Sequence, residues 1–289
     1  MNKYATCRLI AGVDYQEFPA PRELQRHVQC VWRLRDPAPA ATAQTIYPDG
    51  RCELIVHLAT APRCWDSIDG WHDQSRHLFA AQRVTAVRLE SRGPLDCVGV
   101  RLAPAASALV AARSLPQLRD RIVNLTSVAR GLSGALGRAA AAFVAGDATM
   151  LWRLLARRCA KFSIDARMES AATRIERSAG QLRIEAVARA AGMSARGFQT
   201  RFRASVGLTP KEFARLARLQ ATLRALDQRD VNLSSLAADA GFADQAHATR
   251  ELKRITGLAP AKLRAELRRD RAGDAAVRLA AAFVRGYAG

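Results

Sequence analysis

The stretch AVARAAGMSARGFQTRFRASVGLTP, residues 186–210, is followed by a related stretch, LAADAGFADQAHATRELKRITGLAP, residues 236–260. The two copies align at an offset of 49 up to Gly192 and Gly241, and at an offset of 50 beyond the turn that follows. A turn tolerates an extra residue best, because lengthening a loop adds little to the entropic cost of closing it. The C-terminal part of the chain is therefore an internal repeat.

Each copy has the pattern of two helices joined by a tight turn. A short apolar helix ends at a glycine, a capping residue follows (Ser194 in the first copy, Asp244 in the second), and a second helix is closed by another glycine. This pattern is typical of a helix-turn-helix, present twice.

The first helix of each copy is too short to be stable alone and must pack on the second. The apolar spacing predicts that Val187 contacts Phe198 and Phe202 in the first copy, and that Leu236 contacts Leu252 in the second.

The sequence Thr209-Pro-Lys-Glu212 between the copies predicts the start of a longer helix. Threonine supplies a capping oxygen, proline suits the first helical position, and glutamate stands three residues after the cap. A helix from Pro210 to about Leu226 would be about 25 Å long. Such a rod suits two recognition helices placed about one DNA turn, or about 34 Å, apart.

These residues resemble the DNA-binding domain of the AraC/XylS family of bacterial transcription regulators, over roughly residues 165–268. The earlier segment FPAPRELQRHVQCVWRL…TIYPDGRCELIVHL is similar to the N-terminal domain of one uncharacterised subgroup of that family. The resemblance implies a transcription activator whose N-terminal domain senses a small-molecule effector or mediates dimerisation, and which contacts RNA polymerase when bound to DNA. One departure is Ala248, where family members usually have a large aromatic core residue.

The overall composition agrees with a polyanionic partner. The chain of 289 residues is long enough for two domains, and its net charge of +19 and pI near 11.0 favour nucleic acid first and an anionic membrane second. No apolar run is long enough for a membrane span and no signal-peptide core begins the chain, so we expect a cytoplasmic protein. Six dispersed cysteines are typical of reduced thiols.

The pattern of apolar residues predicts an α+β fold with two domains. From Arg26 to about Ala103 apolar and polar residues alternate as in strands, with a turn predicted at Pro48-Asp49-Gly50. After Pro104 the Ala- and Leu-rich runs have helical spacing. The expected units are a β-rich regulatory domain (1–103), a helical connector or dimerisation segment (104–162), the DNA-binding domain (163–270) and a C-terminal tail (271–289).

The second helix of the first copy is predicted to read DNA bases. With Phe198 and Phe202 facing inward, a polar stripe remains on the outer face. Arginine pairs with guanine and glutamine with adenine in the major groove, so Arg196, Gln199 and Thr200 are the base-reading candidates. The alternative is that such residues form only a solvated face, and the helix-turn-helix pattern favours base reading.

In the second copy Gln245 and Arg250 are the main base-reading candidates, with His247 and Thr249 beside them. For His247 a plain surface role is as well supported. Contacts to DNA phosphates position a protein without reading the base sequence. We assign such contacts to Arg203, Lys211, Arg215, Lys253 and Arg254. Because Ala246 and Ala248 are small, we expect the second copy to contribute less specificity than the first.

Three other kinds of chemistry are weighed in the N-terminal half. Three histidines with nearby acidic residues and a cysteine suggest a metal site: His57, His72 and His77 with Asp66, Asp69, Asp73 and Cys64. The H-x₄-H spacing of His72 and His77 fits neither a helix face nor a strand pair. No metal or cofactor is therefore expected. Cys30, Cys52 and Cys97 are better explained as small core residues than as redox sensors. Packing is favoured over ligand binding for Trp32, Trp65 and Trp71.

The sequence thus predicts a DNA-binding transcription regulator that is not an enzyme and binds double-stranded DNA, with homodimerisation slightly favoured. Two alternatives stay open. One is an enzyme–regulator fusion with small-molecule chemistry in the N-terminal domain, although no acid/base or nucleophile cluster is visible in the linear sequence. The other is an architectural binder that uses charge alone.

Overall fold

The computed structural model describes residues 6–10, 13–39, 43–110, 114–228 and 233–271. An antiparallel β-rich half comes first and an all-helical half follows, as the alternation and the helical spacing predicted. The predicted α+β two-domain fold class is confirmed.

The strands in these ranges are β1 (Thr6–Ile10), β2 (Val13–Pro19), β3 (Val28–Asp36), β4 (Gln44–Ile46), β5 (Glu53–His57), β6 (Arg63–Asp66), β7 (Gly70–Asp73), β8 (His77–Ala80), β9 (Val87–Glu90), β10 (Leu95–Leu102) and β11 (Ile122–Asn124). They form a seven-stranded sheet in the order β1-β2-β3-β10-β5-β8-β11 and a four-stranded sheet in the order β4-β9-β6-β7. Neighbouring strands in both sheets are antiparallel.

The helices are α1 (Leu115–Leu118), α2 (Leu125–Val128), α3 (Ser133–Val144), α4 (Thr149–Cys159), α5 (Ala166–Arg177), α6 (Ile184–Ala190), α7 (Ala195–Val206), α8 (Pro210–Gln228), α9 (Leu233–Asp239), α10 (Gln245–Thr256) and α11 (Pro260–Arg271). Short 3₁₀ helices lie at Arg22–Leu24 and Pro104–Leu109.

Two details of the region after Pro104 differ from the expected helical pattern. The chain first forms the 3₁₀ helix at Pro104–Leu109, and β11 then adds an edge strand to the seven-stranded sheet by pairing with β8. A short apolar run such as Ile122–Val123 fits a strand as well as a helix. It forms a strand here because it pairs with the otherwise unpaired edge of β8.

Apolar residues of α2, α3 and α4 cover one face of the seven-stranded sheet. Leu136, Leu151 and Leu155 are buried in the same core as Leu54 and Val100 of the central strands. The Ala-rich helices therefore complete the core of the N-terminal half by covering apolar sheet surface that would otherwise face water.

A buried arginine organises the opposite face of this sheet. Arg101, which is fully buried, places Nη1 2.7 Å from Glu17 Oε1 and Nε 2.9 Å from Glu53 Oε1. Trp32 Nε1 donates to the same Glu53 oxygen at 3.0 Å. A buried charge is tolerated only when it is paired and hydrogen-bonded, and here two carboxylates supply the pairing.

Helices α5 to α11 form the second core. Buried residues of the first repeat (Val187, Phe198, Phe202) and of the second (Leu236, Leu252) belong to one continuous cluster. The residues predicted to pack inside each copy are thus buried, and one core joins both copies along the connecting helix α8.

The turn Tyr47–Arg51 of the N-terminal half lies against the helical half. Pro48 O accepts a hydrogen bond from Gln220 Nε2 of α8 at 2.8 Å, and Arg51 Nη2 lies 2.7 Å from Glu176 Oε1 of α5. Tyr47 Oη donates to Glu266 Oε2 of α11 at 3.1 Å. One turn therefore contacts three helices of the other half.

Gly50 within this turn adopts a φ of 77°, and a Cβ there would lie 3.0 Å from the ring of Phe213 in α8. Proline, aspartate and glycine form the tight turn predicted from the sequence. Because glycine lacks a Cβ, the turn can approach α8 closely.

Candidate nucleic-acid interface

The first helix-turn-helix unit consists of α6 and α7. Gly192, with a φ of 66°, ends the turn after α6, and Ser194 Oγ accepts the N–H of Gly197 at 3.2 Å at the start of α7. Gly207, with a φ of 94°, closes α7. These are the predicted caps, and they fix the direction in which α7 leaves the turn.

The second unit consists of α9 and α10 and repeats this geometry. Gly241 has a φ of 72°, Asp244 Oδ1 accepts the N–H of His247 at 2.6 Å, and Gly257 closes α10 with a φ of 78°. Ala248 is buried beside Phe242 in a small cluster. Phe242, two residues before the cap Asp244, thus supplies apolar bulk next to Ala248.

Helix α8 joins the two units and starts with the predicted capping box. Thr209 N–H donates to Glu212 Oε2 at 2.9 Å, and Glu212 N–H donates to Thr209 Oγ1 at 3.2 Å. The helix has 19 residues, two more than predicted, which corresponds to about 28 Å.

The outward face of α7 carries the predicted polar stripe. Arg196, Gln199, Thr200 and Arg203 are exposed, whereas Phe198 is fully buried. The side chains proposed to read bases in the first unit are thus accessible to a ligand of any size.

The corresponding face of α10 is less open. Gln245 and Arg250 are exposed, but His247 and Thr249 are half-buried. His247 Nδ1 accepts the N–H of Ala243 at 3.3 Å, and Thr249 Oγ1 donates to Gln245 O at 2.8 Å. His247 and Thr249 therefore already make hydrogen bonds within the unit itself.

A cleft of about 720 Å³ separates the two units. Lys211 and Arg215 of α8 line it, together with Gln199 of the first unit and His247 of the second. Two of the predicted phosphate-binding residues therefore lie between the reading helices.

Two carboxylates, Glu185 and Glu251, also line this cleft. Glu251 Oε2 is 3.8 Å from Arg215 Nε and 3.2 Å from Arg254 Nη2. Both arginines remain substantially exposed, with 40% and 48% of their side chains accessible. Arg203 and Lys253 are exposed on the outer parts of α7 and α10.

Sequence reasoning missed two further cations of the cleft, Arg183 and Arg218. Arg218 Nη2 donates to Gly180 O at 2.9 Å, and its guanidinium lies 5.3 Å from the centre of the Phe242 ring. The spacing of Lys211, Arg215 and Arg218 (i, i+4, i+7) places the three on one helix face and could have identified Arg218.

Comparison with known proteins agrees with this geometry. A family model described as Helix-turn-helix domain matches residues 187–266. The chain is 30% identical to the DNA-binding domain of AdpA, described as a global transcriptional factor in complex with a target DNA; the match covers 37% of this chain and 96% of that one, with a TM-score of 0.34. The chain belongs to the AraC/XylS family of transcription regulators.

Two further AraC-type structures are similar to this chain. A probable AraC family transcriptional regulator from Rhodopseudomonas palustris is 24% identical over 36% of this chain and 98% of its own, with a TM-score of 0.33. ToxT from Vibrio cholerae is 11% identical over 81% of this chain and 96% of its own, with a TM-score of 0.46. A model described as Domain of unknown function (DUF6597) matches residues 16–124. No curated protein matches the chain at a significant level.

The cysteines of the N-terminal half lie in the core of this AraC/XylS regulator. Cys30, Cys52, Cys64, Cys97 and Cys159 are free and buried. Burial raises the pKa of Cys30, Cys52 and Cys97 to about 12. Since the thiolate is the reactive form, these three residues have the environment of small core residues rather than of redox sensors. The side chain of Cys7 lies outside the described residues.

Two of the histidines that were weighed as metal ligands make hydrogen bonds to uncharged side chains. His57 Nε2 lies 3.1 Å from Gln74 Oε1, and His77 Nδ1 lies 2.9 Å from Ser133 Oγ. His72 instead lies near Cys64 and Asp66 on the β6–β7 hairpin, with one ligand atom of each within 4.8 Å of the others.

Among these three side chains, Asp66 already interacts with other groups. Asp66 Oδ1 accepts the N–H groups of Ile68 and Asp69 at the hairpin turn, and Asp66 Oδ2 lies 3.7 Å from Arg83 Nη1. An arginine at that distance disfavours a second cation on the same carboxylate.

His57 makes the stability of the AraC/XylS regulator sensitive to acid. Burial lowers the pKa of His57 to about 4. The unfolded chain binds this proton near pH 6.5, so the free energy of unfolding should fall by on the order of 3 kcal/mol as the pH is lowered from about 6.5 to about 4. In urea unfolding at pH 7 and pH 4.5, His57→Gln should lose less stability than the wild type on acidification. An unchanged pH dependence in the variant contradicts this assignment.

None of the helices in the described ranges is long and apolar enough to cross a membrane.

Among the tryptophans, Trp32 is buried against the backbone of Gly99, where a Cβ would lie 2.0 Å from the indole ring. Trp71 is partly exposed beneath the guanidinium of Arg63. The packing roles predicted for both residues agree with these positions.

Proposed function

We propose that this AraC/XylS regulator binds double-stranded DNA sequence-specifically, with α7 and α10 in adjacent major-groove segments. The observation that carries this proposal is the cleft between the units: two exposed recognition faces flank a row of cations on α8. Cations between the reading helices would contact the phosphate backbone that separates two major-groove segments.

The proposed roles are those assigned from the sequence, with two cations of the cleft added. Base-reading residues are Arg196, Gln199, Thr200, Gln245, His247, Thr249 and Arg250, and phosphate-binding residues are Arg203, Lys211, Arg215, Lys253 and Arg254. Arg183 and Arg218 join the phosphate group because they line the same cleft.

In vitro selection from a randomised duplex pool, followed by competition at fixed salt, tests the function. The full-length chain should prefer the selected duplex over a shuffled one by at least about a thousandfold. Equal affinity for the two duplexes would favour an architectural DNA binder, which neutralises phosphates without reading bases.

Arg196→Ala should lower the affinity for the selected duplex by about 1–3 kcal/mol and relax the preference at one base pair, because a bidentate contact to guanine is lost. Lys253→Ala is the matched control, since a lost phosphate contact should weaken selected and shuffled duplexes alike. Fluorescence anisotropy with duplexes changed at each base pair measures both effects. If Arg196→Ala weakens the two duplexes equally, Arg196 does not read a base.

Substitutions in the first unit should cost more specificity than those in the second, because α10 uses His247 and Thr249 in internal hydrogen bonds. Gln199→Ala and Gln245→Ala each remove an exposed glutamine from the first five residues of a recognition helix, although the two positions are not equivalent in the repeat. Competition between the selected and shuffled duplexes gives the specificity ratio for each variant. A larger fall in that ratio for Gln245→Ala contradicts the ranking.

We also propose the functional division into a regulatory domain (1–103), a connector (104–162), a DNA-binding domain (163–270) and a tail (271–289). The contacts of the turn Tyr47–Arg51 with α5, α8 and α11 support control of DNA binding by the N-terminal domain. By family resemblance the DNA-bound regulator contacts RNA polymerase, and an effector or a dimer interface in the N-terminal part governs it.

A further inference from the structure

The end of the connector carries more than half of the net charge of the N-terminal part. Residues 122–162 contain six cations and one carboxylate, a net charge of +5. Residues 1–121, a segment about three times as long, contain sixteen cations and twelve carboxylates, a net charge of only +4. An excess of one sign on a short segment raises the local potential and attracts ligands of the opposite sign.

Most of these cations line one groove. The groove has a volume of about 300 Å³ and lies between the turn that joins α2 to α3 and the end of α4. Arg130 comes from the turn, and Arg157, Arg158 and Lys161 come from the end of α4. The lining residues, all of which the structure describes, include no carboxylate. Arg153 lies one helical turn before Arg157 on the same face of α4, and these five cations form the connector patch.

The protein itself does not neutralise most of the connector patch. In the described part of the chain, four of its cations are exposed and form no ion pair with a carboxylate: Arg130, Arg153, Arg157 and Lys161. The fifth, Arg158, donates from Nε to Leu109 O at 3.1 Å. Arginines on the two sheets, such as Arg33 and Arg63, do pair with carboxylates. The charge of the patch is therefore available to an external partner.

The connector patch lies beside the first helix-turn-helix unit. Lys161 precedes Asp165 by four residues, so the Cα atoms of the two residues are at most about 14 Å apart. Asp165 accepts a hydrogen bond from Arg201 of α7, the helix proposed to enter the major groove. Since one DNA turn is about 34 Å, the DNA backbone on this side of the segment read by α7 lies within reach of the patch.

A second cationic groove follows the patch along the chain. It has a volume of about 390 Å³, lies between α5 and the end of α6, and is lined by Arg167 and Arg174. Gly192 also lines it and is two residues before the cap Ser194 of α7. This groove shares no lining residue with the cleft between the two units. The cationic surface therefore extends along a side of the first unit that does not face the second.

The carboxylates near the connector patch do not oppose an anionic partner. Asp165 pairs with Arg201, and Glu169 pairs with Arg26 at 2.7 Å. The single carboxylate of residues 122–162, Asp147, lies at the far end of α4 and accepts the N–H of Thr149. The surface from the patch to α7 thus keeps an excess of positive charge.

We propose that the connector patch binds the phosphate backbone of the DNA that flanks the segment read by α7. Phosphate oxygens accept hydrogen bonds from arginine and lysine whatever the base sequence. The row from Arg153 to Lys161 spans about 12 Å, which corresponds to three or four phosphates of one strand. The N-terminal half thus lengthens the DNA site without adding base recognition. This inference rests on the DNA-binding function proposed above.

The length of the duplex tests this contact. Fluorescence anisotropy gives the affinity of the full-length chain for the selected duplex cut to its two reading segments, and for the same duplex extended at one end by about ten base pairs of random sequence. The base pair at which Arg196→Ala relaxes the preference identifies the end nearer α7. Extension at that end should raise the affinity at least tenfold, and extension at the other end should raise it less than twofold. Equal gains at the two ends, or no gain at either end, overturn the proposal.

Charge substitutions locate the contact. Arg157→Gln combined with Lys161→Gln should remove most of the gain from the flanking DNA. The same variant should reduce the slope of log affinity against log salt concentration by about 2, because each lost phosphate contact reduces it by about 0.9. Both positions are exposed, and circular dichroism checks that the variant is folded. An unchanged gain in the folded variant overturns the assignment.

A second double variant controls for net charge. Arg35→Gln combined with Arg92→Gln also removes two charges at exposed positions. The start of β3 lies near the connector, since His27 Nε2 is 3.4 Å from Phe162 O, but Arg35 lies about 23 Å further along the strand. Arg92 precedes β10, whose first residue pairs with Asp36 at that same far end. This variant should keep the gain from flanking DNA, and an equal loss in both variants would assign the gain to net charge and overturn the proposal.

A shuffled duplex separates this inference from the proposed function. On an extended shuffled duplex, the patch variant should still reduce the salt dependence more than the control variant does, because phosphate contacts do not depend on sequence. A chain that shows no preference for the selected duplex would contradict the proposed function alone. Equal salt dependence of the two variants on both duplexes would contradict the connector contact alone.

Discussion

Gly180→Ala is expected to destabilise the DNA-binding half by about 2–5 kcal/mol and to weaken DNA binding with it. Gly180 has a φ of 70°, and a Cβ there would lie 1.9 Å from the carbonyl oxygen of Ala214 in α8. Both the left-handed backbone and the close approach require glycine, and the obstacle is backbone that cannot rotate away. Urea unfolding monitored by circular dichroism measures the loss.

Gly192→Ala is the matched control for this substitution. Gly192 has a similar φ of 66°, but a Cβ there meets no heavy atom within 4 Å. Its replacement should cost only the left-handed penalty of about 1–2 kcal/mol. Equal losses of stability in the two variants would show that the close approach to Ala214 adds nothing to the destabilisation by Gly180→Ala.

Gly180→Ala should also disturb the cleft between the helix-turn-helix units. Gly180 O accepts the hydrogen bond from Arg218 Nη2, and Arg218 lines the cleft. Moving this backbone therefore displaces a cation proposed to bind phosphate. DNA affinity measured under conditions where the variant is still folded separates this effect from unfolding.

Arg101→Met is expected to destabilise the N-terminal domain by about 3–5 kcal/mol. The substitution leaves Glu17 and Glu53 without the guanidinium that pairs with both. Removing one partner of a buried ion pair costs more than the pair contributes, because the remaining charge stays desolvated. Thermal unfolding of the variant and the wild type measures the difference.

Arg33→Met provides the comparison on the adjacent strand β3. Arg33 pairs with Asp96 at 2.9 Å, but about a quarter of each side chain is exposed. Loss of such a pair should cost about 1 kcal/mol or less. If Arg101→Met is no more destabilising than Arg33→Met, the buried network does not stabilise the sheet. Adding Glu17→Gln and Glu53→Gln to Arg101→Met should restore part of the lost stability.

Local signals made the DNA-binding half predictable from the sequence. The capping box at Thr209 and Glu212, the caps Ser194 and Asp244, and the closing glycines each depend on residues a few positions apart. The repeat then showed that these signals occur in the same order twice. Such short-range patterns specify helix ends independently of the rest of the fold.

Long-range contacts were not predictable in the same way. Arg101 looked like a polar residue of an alternating strand, and its burial arises because Glu17 and Glu53 reach it from two other strands. Arg51 and Glu176 are likewise far apart in the sequence, and they pair only because the turn Tyr47–Arg51 lies against α5. A turn signal at Pro48-Asp49-Gly50 gave no indication that the turn docks on α5, α8 and α11.

Dimethyl sulfate protection of guanine N7 on the selected duplex tests the central claim most directly, because N7 lies in the major groove that both recognition helices are proposed to enter. The account predicts two clusters of protected positions on one face of the duplex, about 10 base pairs apart, with Arg196→Ala removing protection from one cluster only. A single cluster, or protection spread evenly along the duplex, would contradict two reading helices.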